Sequence, residues 1–313
     1  MNATSVRLGL RLHRFEIVVF GAVILALAAA GFVVAGWLDA TGYSRLCLDA
    51  TGTANPPPVC AAIGASFYDL EDRLALPIAG FLIFVPYAAA ALLGVAVVAR
   101  EIERGTTRLA WSMAPSRRRW FAARVLPVLV VLVGLSFTAG LAADRIAGAT
   151  IPTEDVANSF SQFGQRGGLI AARAVFVFAV AVVSGIVLGR SLPALIVATI
   201  VAAVGLAGGT NVHGRIIAGE AIVVPEAQGR PGDLYLDQRF QLPDGRLIDW
   251  QEMEQIDPPQ DVAGWTPKYP IVWRLVPGER YRFVEAREAA ALAGGSLAFL
   301  GVGALIVGWR RPD

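Results

Sequence analysis

The sequence is nearly without lysine: Lys268 is the single one among 27 basic residues. A phosphate-binding loop of the form GxxxxGK[ST] needs that side chain behind a glycine turn, where backbone N–H groups cradle phosphate and the ammonium reaches the β and γ oxygens. Lys268 stands in the stretch 266–270, TPKYP, with no such turn before it. ATP binding by that route is excluded, so an ATP dependence of that kind has to come from another polypeptide. Charge is scarce as well. Charged residues make up 17% of the chain against 55% hydrophobic, and the mean hydropathy of +0.57 is too apolar for a soluble domain. The formal net charge of +2 is small, and in a membrane chain the placement of charges matters more than their sum. With two histidines in the whole chain and His213 standing alone, no Ser/His/Asp or Cys/His set has a defensible spacing. No catalytic residue and no metal ligand is assigned.

What the chain has in abundance is long apolar runs. A bilayer core of about 30 Å takes about 20 apolar residues in a helix. Six runs meet or approach that length: Phe15–Trp37, Leu74–Val98, Val125–Ala143, Leu169–Leu188, Leu192–Gly209 and Ala289–Trp309. The first follows Arg7, Arg11 and Arg14 and could be taken for a cleaved signal peptide. It exceeds the 7–15 residues of such an apolar segment and five more runs follow, so it is expected to remain as a span. Pro77 suits a first helical turn, whereas Pro86 lies inside the second run and removes a backbone donor there. Gly189 and Pro193 punctuate a tight turn between the fourth and fifth runs.

Arginine orients these runs. With the N-terminus inside, the internal segments hold Arg7, Arg11 and Arg14, then Arg100, Arg104, Arg108, Arg117, Arg118, Arg119 and Arg124, then Arg190, then Arg310 and Arg311. The positive-inside rule is met at each of them, so both termini are expected in the cytoplasm of a multi-pass plasma membrane protein. The two cysteines, Cys47 and Cys60, both fall between the first two runs, on the oxidising side in this topology. A disulfide is expected there and would stabilise the chain by about 3 kcal/mol in the chain-entropy picture.

Two polar stretches follow the same topology outward. Asp144 to Gly168 reads as a loop with one short helix, and Arg173, just inside the fourth run, is expected to snorkel to the nearby interface. From Asn211 to Glu288 prolines and charges rise, and residues 234–250 carry a hairpin signal around Pro243-Asp244-Gly245. A small extracytoplasmic domain of mixed strand and helix is expected over 211–288, its aspartates and glutamates on a solvated face. Its last part, Val276 to Glu288, suits an interfacial helix, with Tyr281, Phe283, Glu285 and Glu288 as the residues of interest. The fold class is thus an all-α polytopic membrane protein, with transmembrane helices 1–5 over residues 1–210, this domain, and a sixth helix with its tail over 289–313.

One charged island interrupts the apolar runs, at residues 99–124. Glu101, Glu103, Arg104, Gly105 and Thr106 follow directly on the second run, Leu109, Ala110 and Trp111 form a short apolar patch, and Ser116 is placed to cap a helix that opens with Arg117, Arg118 and Arg119. A loop held to anionic lipid by arginine would have no need of the two carboxylates. The run REIERGTTRLAWSMAPSRRRWFAAR resembles the first cytoplasmic loop of type-2 ABC transporter permeases, especially the actinobacterial kind. The matching positions are Glu101, Glu103, Gly105, Thr106, Ser112, Ser116, Arg117, Arg119 and Trp120. The order of six spans with a large outer loop before the last also fits. Residues 280–288 match in part, since Arg282, Val284 and Glu285 stand where the family has Trp, Phe and Gln.

That resemblance implies the transmembrane subunit of an ABC exporter, paired with a second copy or a homologue and driven by a separate ATPase subunit that binds ATP and magnesium. The loop would be the coupling helix. Glu101 and Glu103 would meet basic residues of the ATPase, Leu109 and Trp111 would fill its groove, and Arg117 to Arg119 would lie on lipid. A substrate leaving through such apolar spans would be amphipathic or lipid-like. The alternative is a membrane transmitter that senses through its outer domain and carries nothing.

Overall fold

A computed structural model describes residues 11–43, 47, 58–107, 111–112, 116–257 and 268–309. Leu109 lies outside the described residues, as do Arg108 and Ala110. Among the described residues six helices are long and apolar enough to cross a bilayer. The elements in chain order are α1 (Arg14–Ala40), α2 (Pro58–Leu70), α3 (Leu76–Glu103), α4 (Arg117–Thr150), α5 (Gly168–Leu188), α6 (Ser191–Gly219), β1 (Ile222–Pro225), β2 (Leu234–Gln241), β3 (Leu247–Ile248), α7 (Trp250–Ile256), β4 (Ile271–Val276) and α8 (Tyr281–Trp309). The chain divides into two units, one of residues 1–152, 164–208 and 285–313, the other of 153–163 and 209–284.

Several helices outlast the apolar runs that announce them, because their ends are set by caps and prolines rather than by hydropathy. The second span, expected over Leu74–Val98, continues from Pro58 to Glu103. Pro77 has no N–H to offer the carbonyl four residues back. The turn at Glu71–Ala75 just before it is widened to π geometry, and the Leu76 N–H reaches back five residues to the Glu71 carbonyl. The third span begins at Arg117 because the Ser116 hydroxyl accepts the Arg119 N–H at 3.2 Å, the expected N-cap. It runs seven residues past Ala143 to Thr150, so Asp144 to Thr150 are helical rather than loop. Ile151, the residue before Pro152, is where helical backbone becomes disfavoured. The fifth span does not stop at Gly209 but continues to Gly219. Glycine weakens a helix without breaking its hydrogen bonds. The turn between α5 and α6 follows the sequence: Gly189 adopts the left-handed region at φ +63° and Pro193 sits in the first turn of α6.

Contacts within the first unit fix an alternating arrangement. The start of α1 meets the end of α3 through Glu16 and Arg100, and the end of α3 meets the start of α4 through Glu101 and Arg124. The end of α3 also meets the start of α6 through Glu103 and Ser191, while Arg117 at the start of α4 donates to the Gly308 carbonyl near the end of α8. The arginine-rich loop, the start of α1 and the end of α8 therefore share one end of the bundle. Helix α3 packs on α1, α4 and α5. Its closest approach is at Gly94, where a Cβ would lie 2.7 Å from the Phe178 carbonyl and from Ala181 Cβ of α5, so only glycine fits between the two backbones. Of the most apolar stretch of each helix, 61% is buried for the α2–α3 span and for α5, but 17% for α6 and for α8. The last two therefore present most of their apolar surface to whatever surrounds them.

The second unit contains an antiparallel sheet in the order β1-β4-β2-β3. The expected hairpin is present. Phe240 pairs with Ile248, Gly245 takes a φ of +83° and Leu242 N–H bonds the Arg246 carbonyl at 2.9 Å. Phe240, Leu242, Ile248 and Met253 form a small core, and Phe160, Ile217, Val276, Tyr281 and Val284 a second. The acids read as a solvated face are largely used in turns and caps. Asp249 caps α7 through the Glu252 N–H, Asp233 accepts the Gly278 N–H, and Asp237 pairs with Arg239 and Arg274. A disulfide joins Cys47 to Cys60 across a Cα separation of 5.5 Å.

Candidate functional site

At the end of α3 the loop opens with a Schellman turn. The Thr106 N–H returns to the Glu101 carbonyl at 3.1 Å and the Gly105 N–H to the Ile102 carbonyl at 3.0 Å, with Gly105 at φ +69°. A Cβ at Gly105 would meet nothing within 4 Å, so glycine serves the backbone angle and not the packing. The Thr106 hydroxyl adds a bond to the same Glu101 carbonyl at 3.3 Å. The Glu-x-Gly-Thr pattern is, in physical terms, a helix stop.

The carboxylates around that stop already have partners in the chain. Glu101 pairs with Arg124 at 2.7 Å, both side chains being mostly buried. Glu103 accepts the Ser191 N–H at 3.2 Å and its hydroxyl at 2.6 Å, an acid at the N-terminus of α6 where the helix dipole favours it. Glu16 holds Arg100. Within the chain Glu101 and Glu103 both tie α3 to its neighbours, Glu101 mostly buried and Glu103 still exposed beside Arg104. Trp111 is likewise packed on the bundle core, edge-on to Trp120 at 6.0 Å and under the Arg117 guanidinium at 4.9 Å. Arg117 also donates to the Gly308 carbonyl at 3.4 Å. Arg104, Gly105 and Ser112 are exposed, as are Ser116 and Arg119. His13, just before α1, faces the same cluster. Burial pushes its imidazole pKa below the ordinary value, Glu16 opposes this, and Arg100 and Arg124 add to it.

A second polar cluster lies further along the bundle, where α5 begins. Arg173 binds Glu288 of α8 through Nη2 at 2.6 Å and Nε at 3.1 Å, and the Gly164 carbonyl through Nη1 at 2.8 Å. Glu285 accepts the Gly168 N–H at 3.1 Å, and Arg166, 2% exposed, pairs with Asp144 at 3.3 Å. Arg173 is thus held by a carboxylate rather than snorkelling. The expected interfacial helix does not form as a separate piece. Tyr281 to Trp309 is one unbroken helix, since nothing between Val284 and Ala289 interrupts helical bonding. Its first residues divide by unit: Tyr281 is buried beside Phe160 and Phe163, and Phe283 is 63% exposed, whereas Glu285 and Glu288 belong to the first unit's polar cluster.

Sequence reasoning found one partner of most of these pairs and missed the other. Arg124, Ser191, Glu16 and Asp144 carried no motif. Arg173 and Glu288 each stand out in the sequence, with no local signal that residues 115 apart meet. Among the described residues no group of His, Cys, Asp and Glu is arranged to hold a metal.

Comparison with known proteins bears on this architecture. No curated protein and no solved structure matches the chain. The family described as ABC-2 membrane transporter related matches residues 18–212, which run from within α1 to within α6 and take in the whole loop with its helix stop. The chain belongs to that family, and is an ABC-2 type permease.

Proposed function

We propose that this chain is the membrane-spanning subunit of an ATP-driven exporter in a bacterial plasma membrane, moving an amphipathic or lipid-like substrate such as a drug, an antibiotic or a lipid out of the cell. It works with a second copy or a homologue, and a separate ABC ATPase subunit supplies the ATP and magnesium site. The observation that carries this reading is the construction of the loop in a chain of this family. An exposed turn at Arg104 and Gly105 is tied at its base to three other helices, by Glu16–Arg100 to α1, Glu101–Arg124 to α4 and Glu103–Ser191 to α6.

In this reading the arginine-rich end faces the cytoplasm, as the positive-inside rule favours, and the sheet unit and the disulfide lie outside. Loop 99–124 is the coupling element. A push on its exposed turn by a closing ATPase reaches α1, α4 and α6 at once, and the large bare faces of α6 and α8 are available to a second subunit. The carboxylates transmit within the chain, and the contact with the ATPase falls to Arg104, Gly105, Ser112 and their neighbours.

The test is co-purification with an ABC ATPase subunit, followed by ATP-dependent export from inverted vesicles. Arg104→Glu combined with Ser112→Trp is expected to lose the ATPase while membrane insertion is kept. Undiminished ATPase association in that variant refutes the loop's role. ATP hydrolysis without transport of any amphiphile would favour the signal transmitter instead.

A further inference from the structure

Between the last turns of α3 and the first turn of α6 lies a groove of about 200 Å³. Its walls are apolar, Leu92, Val95 and Ala96 from α3 and Leu192 and Leu195 from α6, while Arg100 and Ser191 stand at one end. The wall residues of α3 lie on one stripe of the helix, and Leu92 to Arg100 spans about 12 Å along its axis. The groove therefore runs along the span and not across it, with polar groups only at the arginine-rich end.

The charges at that end do not cancel. Glu16 engages Arg100 through Nη1 alone, and the Arg100 side chain remains 44% exposed. Glu103 is bound to Ser191 of the groove wall, and the exposed Arg104 and Arg190 are the chain neighbours of Glu103 and Ser191, so they flank the mouth that Arg100 lines. Three guanidiniums against two carboxylates leave a net positive mouth on an apolar cleft. A free anion would find no use for the five apolar walls, and a neutral lipid none for the arginines. The amphiphile that satisfies both has an anionic head and an acyl chain, standing upright as it does in a leaflet.

We propose that this groove binds one anionic phospholipid of the bilayer as a resident ligand, its phosphate at Arg100, Arg104 and Arg190 and one acyl chain along Leu92, Val95 and Leu195. Such a lipid would wedge α6 against α3 beside the Glu103–Ser191 contact, so that the poorly buried α6 is held by lipid as well as by protein. The site requires only a membrane and is independent of what the permease carries.

The experiment is native mass spectrometry of the purified full chain, offered equal phosphatidylglycerol and phosphatidylcholine, with crosslinking by a phosphatidylglycerol that bears a diazirine on its acyl chain. One phosphatidylglycerol per chain is expected to be retained, with crosslinks concentrated on 92–96 and 192–195. Arg190→Gln, an exposed change, should weaken retention about fivefold, and Leu192→Trp should exclude the photolipid by filling the groove. Equal retention of the two lipids overturns the proposal. So do crosslinks spread evenly over the bare faces of α1 and α8, or wild-type retention in both variants. If the ATPase-loaded complex exchanges the bound lipid during ATP turnover, the lipid is cargo and the resident reading falls.

Discussion

The two polar clusters of the helical unit are made from the same residue types and are built to opposite effect. At the loop end, Glu16–Arg100 and Glu103–Ser191 are partly open to solvent and only Glu101–Arg124 is mostly buried, the charges are shared among four helices, and an exposed turn projects from them. Where α5 begins, Arg173 and Glu288 are 17% and 9% exposed and bind each other with two donors on one oxygen, beside the nearly sealed Arg166. Open ion pairs contribute little to stability and rearrange cheaply. A buried pair tolerates the loss of either partner badly, because an uncompensated charge is left behind. The loop end is thus suited to being moved, and the Arg173 cluster to holding α8 on α5 while that happens.

The largest expected effect tests the holding cluster. Arg173→Met should lower stability by roughly 3–5 kcal/mol, since Glu288 is then buried unpaired, and Arg173→Met with Glu288→Met should recover much of that loss. Thermal unfolding of the three variants in detergent checks it. Additive losses would mean that the pair is not a unit, and the contrast with the loop end would disappear.

The loop end has one mostly buried pair of its own, Glu101–Arg124. Glu101→Gln removes one partner of a pair whose side chains are 20% and 13% exposed, and the expected loss of stability is about 1–3 kcal/mol. Its effect on transport should be greater than its effect on melting, because α4 loses its charged tie to the loop. A variant that melts early yet transports normally would assign Glu101 to structure alone. A smaller change sharpens the same point. Gly105→Ala forces an L side chain into the left-handed region and should cost about 1 kcal/mol, with ATPase stimulation as the readout that separates a displaced turn from a merely weakened one.

Much of this was legible in the sequence, for reasons that differ by feature. The six spans follow from hydropathy, one helix start and one helix stop from Ser116 and Gly189, the hairpin from Pro243-Asp244-Gly245, and the disulfide from where Cys47 and Cys60 fall, whereas the stop at Gly105 is seen only in the structure. These are local signals, set by backbone angles and by apolar length. The partners of Glu101, Glu103 and Arg173 were not legible, because each lies on another helix and an ion pair between helices leaves no periodic trace. Helix ends beyond the apolar runs were hidden for a related reason. Residues such as Asp144 and Arg145 read as loop by polarity, but Arg145 pairs with Asp39 of α1 and Asp144 with Arg166, so both remain helical.

The smallest effect separates the two clusters by pH. Of the two histidines, one is beside the loop end and the other belongs to the sheet unit, so only the loop cluster can titrate through an imidazole. Burial holds the His13 pKa below its ordinary value of 6.5, reinforced by Arg100 and Arg124 and opposed by Glu16. The folded chain therefore binds this proton less readily than the unfolded one, and the contribution of neutral His13 is complete above the ordinary value and lost as the pH falls below it. The melting temperature is expected to drop modestly between pH 8 and pH 5.5, and His13→Gln should flatten that part of the slope. If the slope is unchanged in the variant, the acid sensitivity lies elsewhere, and the loop end is held by its ion pairs without help from the imidazole packed behind them.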